Sequence, residues 1–281
     1  MIAFYLSGNP EHDRVIEAMH DGFPGESIMV QGFDYRPTSI AVVFGFFKKS
    51  VPISIPRGRI FLEQRRRGLD VVVLETGYLF RGAGPDDYYA AGLNGLNGRA
   101  DFRNADSPGD RLDELVAHRG LAVAPWRSDG SRIVVCGQVP WDASVDHVDF
   151  RAWAEATVQI LGTLTSMEIV FRPHPLHRMP PIKGSSYSDR TLEEDLADAF
   201  AVVTFNSNAG VEAAVRGVPV FAADPGSMAL AVANRSLQRI CDPERPDRSQ
   251  WLRNLAYAQW TPAEMRRGDT WSHLLRHPSN T

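Results

Sequence analysis

The sequence predicts an α/β fold built from two Rossmann-like domains with parallel sheets facing a cleft. Three observations predict it. Short apolar, β-branched runs alternate with stretches of helical spacing, the pattern of strands joined by right-handed helical crossovers. Each run stops abruptly in polar, Gly or Pro residues, as a buried parallel strand does where it delivers side chains to its carboxyl end. The alternation comes in two series, broken by an irregular middle from Phe80 to about Arg127.

The first series opens with Ile2–Leu6 as a strand, broken by Ser7-Gly8-Asn9-Pro10. Glu11–Gly22 then has helical spacing through Val15, Ile16 and Met19. Ser27–Gln31 and Ile40–Phe46 read as strands. Ile60–Gly68 reads as a helix whose basic end, Arg65-Arg66-Arg67, complements the helix dipole. Asp70–Leu74 is a fourth strand, stopped by Glu75-Thr76-Gly77. The middle is dense in Gly, Asn and Asp, above all Asn94-Gly95-Leu96-Asn97-Gly98-Arg99-Ala100-Asp101-Phe102; so long a loop is usually functional. The second series gives strands Ile133–Cys136, Met167–Phe171, Ala201–Phe205 and Val218–Ala222, with helices Asp149–Leu164, Leu192–Ala199 and Ala209–Arg216. Helices are expected at Met228–Arg239 and Trp251–Trp271, and disorder over His277-Pro278-Ser279-Asn280-Thr281. Residues 1–127 and 128–245 are the expected domains, with 246–281 a helical tail packing back on the first.

Composition narrows the function. The 281 residues are 43% hydrophobic and 23% charged with a net charge of −4, an ordinary globular balance with no global basic field for nucleic acid. Cys136 and Cys241 belong to no CxxC or Cys/His cluster, so a reducing compartment without structural zinc is expected. The short apolar start Met1–Gly8 lacks a basic lead, and no uncharged run is long enough to span a bilayer. The expectation is a soluble cytoplasmic protein without a membrane partner. There is no GxxxxGK[ST] loop, no convincing GxGxxG after the first strand, no GxSxG and no HExxH. No DxD-like pair falls in a plausible loop; Asp86-Asp87 lies in irregular sequence.

The chemically loaded residues fall at predicted strand ends, where open α/β sheets bind ligands. In Arg172-Pro173-His174-Pro175, two prolines fix the backbone and aim a guanidinium and an imidazole that can both donate to phosphate; in isolation the motif reads first as a Pro-rich turn with a surface His, and its place at a strand end favours the phosphate clamp. Asn206-Ser207-Asn208 leads into a helix start that can hold an anion or simply be capped. Glu212, one turn in, can meet ribose hydroxyls or compensate the dipole. Gln138, Asp142 and Ser144 follow a strand and can contact a donor sugar or base. Glu75, at the end of a buried strand, can act as a general base or cap its loop. Arg65–Arg67 and Lys48-Lys49 can greet phosphates or form solvated faces.

Together these residues resemble the capsule-polysaccharide-synthesis type of glycosyltransferase, the group that includes the Kdo transferases. Gln138-Val139-Pro140-Trp141-Asp142-Ala143-Ser144 resembles its Q-V-x-x-D-x-S segment, and Arg172–Pro175 its HP motif. Phe205-Asn206-Ser207-Asn208 with Glu212 and Gly217-Val218-Pro219-Val220 resembles its S-[ST/N]…E-x-x-x-x-G-x-P-V block. Glu75-Thr76-Gly77-Tyr78-Leu79 resembles an E-D-G-F-[IL] segment, but Thr76 replaces the Asp held to do the chemistry. Either Glu75 takes that role or the chemistry differs.

The resemblance implies a GT-B-like fold, a nucleotide-sugar co-substrate (a UDP-sugar is expected), no cofactor and no essential metal. It implies donor binding by Gln138, Asp142, Ser144, Arg172, His174, Asn206, Ser207, Asn208 and Glu212, with Glu75 and His174 catalytic. The Asn94–Phe102 stretch resembles phage-encoded relatives that glycosylate hydroxymethylated pyrimidines in DNA. Tyr78, Asn94, Asn97, Arg99 and Asp101 are then the acceptor-side set, and modified DNA the expected acceptor and partner. A capsular or other surface glycan is the alternative acceptor; a non-catalytic nucleotide- or glycan-binding module is the alternative function.

Overall fold

The computed structural model describes residues 1–32, 34–46, 55–81 and 87–276; Lys48-Lys49, Asp86 and the tail His277–Thr281 lie outside the described residues. The chain divides into two compact units, Met1–Leu112 with Leu252–Thr281, and Asp113–Trp251.

In the first unit, β1 (Ile2–Leu6) is buried at every position. It ends at Leu6, and Asn9 caps α1 (Pro10–Asp21) by accepting from the Glu11 and His12 amides. Pro10 sits in the first turn, where its missing N–H costs nothing, and Glu11 and Asp13 suit the positive helix end. β2 (Ser27–Gln31) and β3 (Ile40–Phe44) flank β1 in parallel. The helix predicted from Ile60 begins earlier, as α2 (Ile55–Arg66). Pro56 is tolerated in a first turn, while Gly58 weakens the helical signal there. β4 (Asp70–Thr76) lies parallel to β3.

The stretch expected to be irregular contains β5 (Tyr89–Leu93), fully buried and antiparallel to β4, and α3 (Asp110–Arg119). The Ala-Ala-Gly centre of β5 has weak strand propensity and reads as loop. Gly92 is required there, since a Cβ would lie 2.6 Å from the Ala100 Cβ.

The second unit holds β6 (Arg132–Cys136) and α4 (Phe150–Leu164), which Asp149 caps and which buries Phe150, Ala154, Val158 and Leu161 on one stripe. Then come β7 (Glu168–Arg172), β8 (Ser186–Tyr187), α5 (Leu192–Asp198) with a Thr191/Glu194 capping box, β9 (Ala199–Thr204), α6 (Ala209–Val215) and β10 (Val220–Ala222). The sheet order is β10-β9-β6-β7-β8, and every pair is parallel. The helix expected at Met228–Arg239 is two single 3₁₀ turns. Asn234, between them, pairs with β10 instead: its amide and carboxamide both donate to the Val220 carbonyl.

The chain closes with α7 (Ser249–Ala256), β11 (Gln259–Trp260), α8 (Pro262–Arg267) and α9 (Asp269–Leu274). β11 interrupts the predicted Trp251–Trp271 helix and pairs antiparallel with β5. The sheet of the first unit is therefore mixed, in order β11-β5-β4-β3-β1-β2, and the expectation of two parallel sheets holds only for the second. Trp271, fully buried, donates to the Met19 carbonyl at 2.7 Å and anchors the closing helices on α1. Among the described residues no helix is long and apolar enough to cross a membrane.

Candidate functional site

Because all five strands of the second unit are parallel, their carboxyl ends share one edge. β6 leads through α4 to its neighbour β7, whereas β9, on the other side of β6, leads through α6 to β10. The gap between the ends of β6 and β9 is thus the topological switch point, where such sheets bind ligands.

Gln138, after β6, and Asn206, after β9, meet there. The Gln138 carboxamide donates to Asn206 Oδ1 at 2.8 Å and accepts from the Asn206 amide at 3.1 Å. Asn206 Nδ2 donates to the Ser144 carbonyl at 2.8 Å and to Asp224 Oδ1, in the loop after β10, at 2.9 Å. Gln138, Asn206 and Asp224 are all buried, so each carboxamide and carboxylate needs these partners. Asp224 also accepts from the Gly226 amide at 2.7 Å, and its second oxygen faces His147 Nε2 at 3.7 Å. Asp142 Oδ1 accepts from both the amide and the hydroxyl of Ser144, closing a local turn.

His174 follows β7 at the same edge. Its Nδ1 accepts from the Leu176 amide at 3.1 Å, so the neutral ring carries its proton on Nε2. Gly137 lets the β6 end approach this turn: a Cβ there would lie 3.1 Å from the His174 amide nitrogen. Ser207 Oγ accepts from the Ala209 amide, and the Ser207 amide is taken by Thr204 Oγ1 at 2.8 Å. The Gly210, Val211 and Glu212 amides also have backbone partners, so the start of α6 offers an anion chiefly side chains. Asn208 Nδ2 reaches Glu212 Oε1 at 3.5 Å. Trp141, 43% exposed, stands edge-on to His177 at 4.8 Å, an aromatic surface beside His174.

Arg172 is placed differently. As the last residue of β7 it turns to the face covered by α5, where Nη1 donates to the Arg190 carbonyl at 2.5 Å and pairs with Asp195 Oδ2 at 3.3 Å. Asp195 is 0% exposed, and Ser188 Oγ lies 2.8 and 2.7 Å from its two oxygens. The guanidinium neutralises a buried carboxylate.

In the first unit, Glu75 Oε1 accepts from the Thr76 amide at 2.9 Å, and Arg81 Nη2 donates to Thr76 Oγ1 at 3.0 Å. Tyr78 is buried, with its hydroxyl donating to Asn97 Oδ1 at 3.2 Å, and burial pushes the phenol well above its usual pKa. The Asn94 carboxamide accepts from the Val71 amide and donates to Asp70 Oδ1, at the opposite end of β4 from Glu75. Arg99 and Asp101 are exposed, and Asp101 pairs with Arg103 at 3.2 Å. Of the expected acceptor-side set, Tyr78 and Asn97 thus meet, with the Glu75 charge acting on the phenol, whereas Asn94 is bonded at the other end of β4. Sequence reading passed over Asp224 and His147, whose importance depends on strand order. Among the described residues no group of three or more His, Cys, Asp or Glu is placed to hold a metal ion.

No protein-family model and no curated protein sequence matches the chain. Solved structures do. The chain is similar in fold to the Thermosulfurimonas dismutans KpsC β-Kdo 2,4 transferase, with a TM-score of 0.60 and 14% identity, covering 91% of this chain and 89% of that one. It is also similar to the KpsC β-Kdo 2,7 transferase of the same organism, with a TM-score of 0.56 and 16% identity, covering 95% of this chain and 97% of that one.

Proposed function

We propose that the protein is a glycosyltransferase moving a sugar from a nucleotide donor to a hydroxyl of a glycan. The observation that carries the reading is the Gln138–Asn206–Asp224 network at the switch point of an all-parallel sheet, in a chain whose fold resembles Kdo transferases. The network holds three loops in fixed relation at the carboxyl edge of the sheet, as positioning groups must. His174 Nε2 and the Ser207 hydroxyl supply donors for the leaving phosphate, and Trp141 offers a stacking face. Arg172 has no part in this reading, because Asp195 holds it. Glu75 orients the acceptor hydroxyl at the edge of the first unit. The GT-B-like arrangement and the metal-independent chemistry expected from the sequence belong to the same proposal. No observation favours a modified DNA base as acceptor, so a glycan is the acceptor proposed.

The test is a thermal-shift screen with uridine, cytidine and guanosine nucleotides and their sugars, followed by turnover on glycan acceptors with and without EDTA. A nucleotide that raises Tm, and turnover that persists in EDTA, are expected. His174→Ala should lower the rate by about 10²-fold, the scale of one lost transition-state donor. No shift with any of these nucleotides would overturn the reading.

A further inference from the structure

The six tryptophans are not placed alike. Trp251, Trp260 and Trp271 are buried, and Trp126 and Trp153 are half-buried. Three of these five also donate the indole N–H to a backbone carbonyl: Trp126 to Pro246, Trp251 to Met228 and Trp271 to Met19. Trp141 alone is exposed, at 43%. Exposure by itself would mean little, since single apolar side chains are common on surfaces. The seat of this ring gives it meaning.

Val139-Pro140-Trp141-Asp142 is a turn closed by the Asp142 amide, which donates to the Val139 carbonyl at 2.9 Å, with Pro140 where proline presets the backbone. The Asp142 carbonyl then accepts from the Val145 and Asp146 amides, both at 2.9 Å, and its Oδ1 from the Ser144 amide and hydroxyl. Val145, 0% exposed, roots this loop in the core. The Ser144 carbonyl accepts from Asn206 Nδ2, which ties the loop to the Gln138–Asn206–Asp224 network. On one side the Trp141 ring meets His177 edge to face, with centroids 4.8 Å apart and planes at 73°. His177 closes the turn that His174 begins: its amide donates to the His174 carbonyl at 2.9 Å. An aromatic platform and the His174 imidazole thus stand on two loops that touch, both within the second unit.

We propose that the exposed face of Trp141 seats the nucleobase of the donor, making this edge a nucleoside-phosphate site whose phosphate lies toward His174. The assignment rests on the glycosyltransferase reading above and names the part of the donor that the ring holds. A base suits the place better than a sugar. A sugar on an aromatic face also needs polar side chains around it to fix its hydroxyls. Here Pro140 offers none, and Asp142 Oδ1 is taken by Ser144. A base presents a π-face that stacks without hydrogen bonds, whatever its identity. Tryptophan orders its ring with only two side-chain angles, so a rigid turn beneath it gives a preorganised platform at small entropic cost.

Calorimetric titration of the full chain with uridine, cytidine and guanosine monophosphates, and with the matching nucleotide sugars, tests the assignment. Trp141→Ala should weaken the best-bound nucleotide about 10-fold or more, the scale of one lost base–aromatic stack. The factor should be the same with and without the sugar attached. Trp141→Phe, which keeps a π-face, should hold affinity within a few-fold of wild type. Nucleotide should also quench the wild-type tryptophan emission, and that quench should be lost in Trp141→Phe. A Trp141→Ala protein that binds nucleotide as wild type does overturns the platform and leaves the transferase reading standing. A loss confined to nucleotide sugars also overturns it, giving the ring to the sugar. A wild type that binds none of these nucleotides overturns both readings. Should Trp141→Ala fail to fold, the fluorescence decides: a quench equal in wild type and Trp141→Phe overturns the platform.

Discussion

Asn206 Nδ2 donates to Asp224 Oδ1 at 2.9 Å, bridging the loops after β9 and β10, while the other side of the same carboxamide grips Gln138 after β6. One side chain thus ties three strand ends. Asn206→Ala should strand a buried carboxylate and a buried carboxamide together, at about 2–3 kcal/mol, since unsatisfied buried groups cost their full desolvation. Calorimetry should show a Tm lower by about 4–10 °C for a chain of this size, and nucleotide binding should be lost with it. A variant of wild-type Tm would show that the three loops are held by something else.

The Arg172–Asp195 pair makes an opposite prediction for a residue of the same strand-end motif. Arg172→Met leaves Asp195 charged and buried, a loss of about 3–5 kcal/mol. Arg172→Met with Asp195→Asn should recover much of that loss, a coupling read from a double-mutant cycle. Nucleotide affinity, measured on the folded fraction, should stay within a few-fold of wild type. A tenfold loss of affinity in the double variant would show that the guanidinium leaves Asp195 to meet phosphate.

These two neighbouring motifs show what sequence could deliver. The strands of the second unit are β-branched runs cut off by polar residues, so the edge carrying Gln138, His174 and Asn206 was legible. What each residue does there was not. Asp142 and Ser144 close a local turn, Arg172 pairs with a buried carboxylate, Tyr78 reaches Asn97 and Asn94 reaches Asp70. Asp224 and His147 carried no signal because only strand order brings them to a switch point. β5 and β11 escaped because Ala-Ala-Gly and a two-residue Gln-Trp strand lack β-branched periodicity; their pairing is long-range.

His273 should make the first unit acid-sensitive. Its Nε2 donates to the Phe102 carbonyl at 2.8 Å, and Nδ1 is buried without a partner. Burial, the largest cause, holds its pKa below the usual value. In the unfolded chain the pKa is about 6.5, so as pH falls the unfolded state takes up the proton first and the folded state loses ground. Stability is therefore full above about pH 6.5 and declines through the window down to the depressed folded pKa; His12 acts in the same direction. Melting curves between pH 8 and 5 should show the decline. His273→Gln, which keeps a donor for Phe102, should flatten it, and an unchanged slope would refute the assignment.

Two glycines of the second unit should respond in opposite ways to alanine. Gly217 follows α6 at φ +78°, and its Cβ would lie 2.0 Å from the Pro125 carbonyl oxygen. That segment is fixed, because the Ala124 amide donates to Val215 O and the Arg127 amide to Gly217 O. Alanine there meets the left-handed penalty of about 1–2 kcal/mol and also forces apart two backbones that cannot yield cheaply. This accounts for the glycine of the Gly217-Val218-Pro219-Val220 block by packing alone, with no ligand required. Gly162, inside α4, has nothing within 4 Å of its Cβ position. Alanine at that position should stabilise by about 0.5–1 kcal/mol, because it restricts the unfolded chain and suits the helix. Urea denaturation of the two variants should therefore move the midpoint in opposite directions, and a Gly217→Ala protein as stable as wild type would sink the packing account.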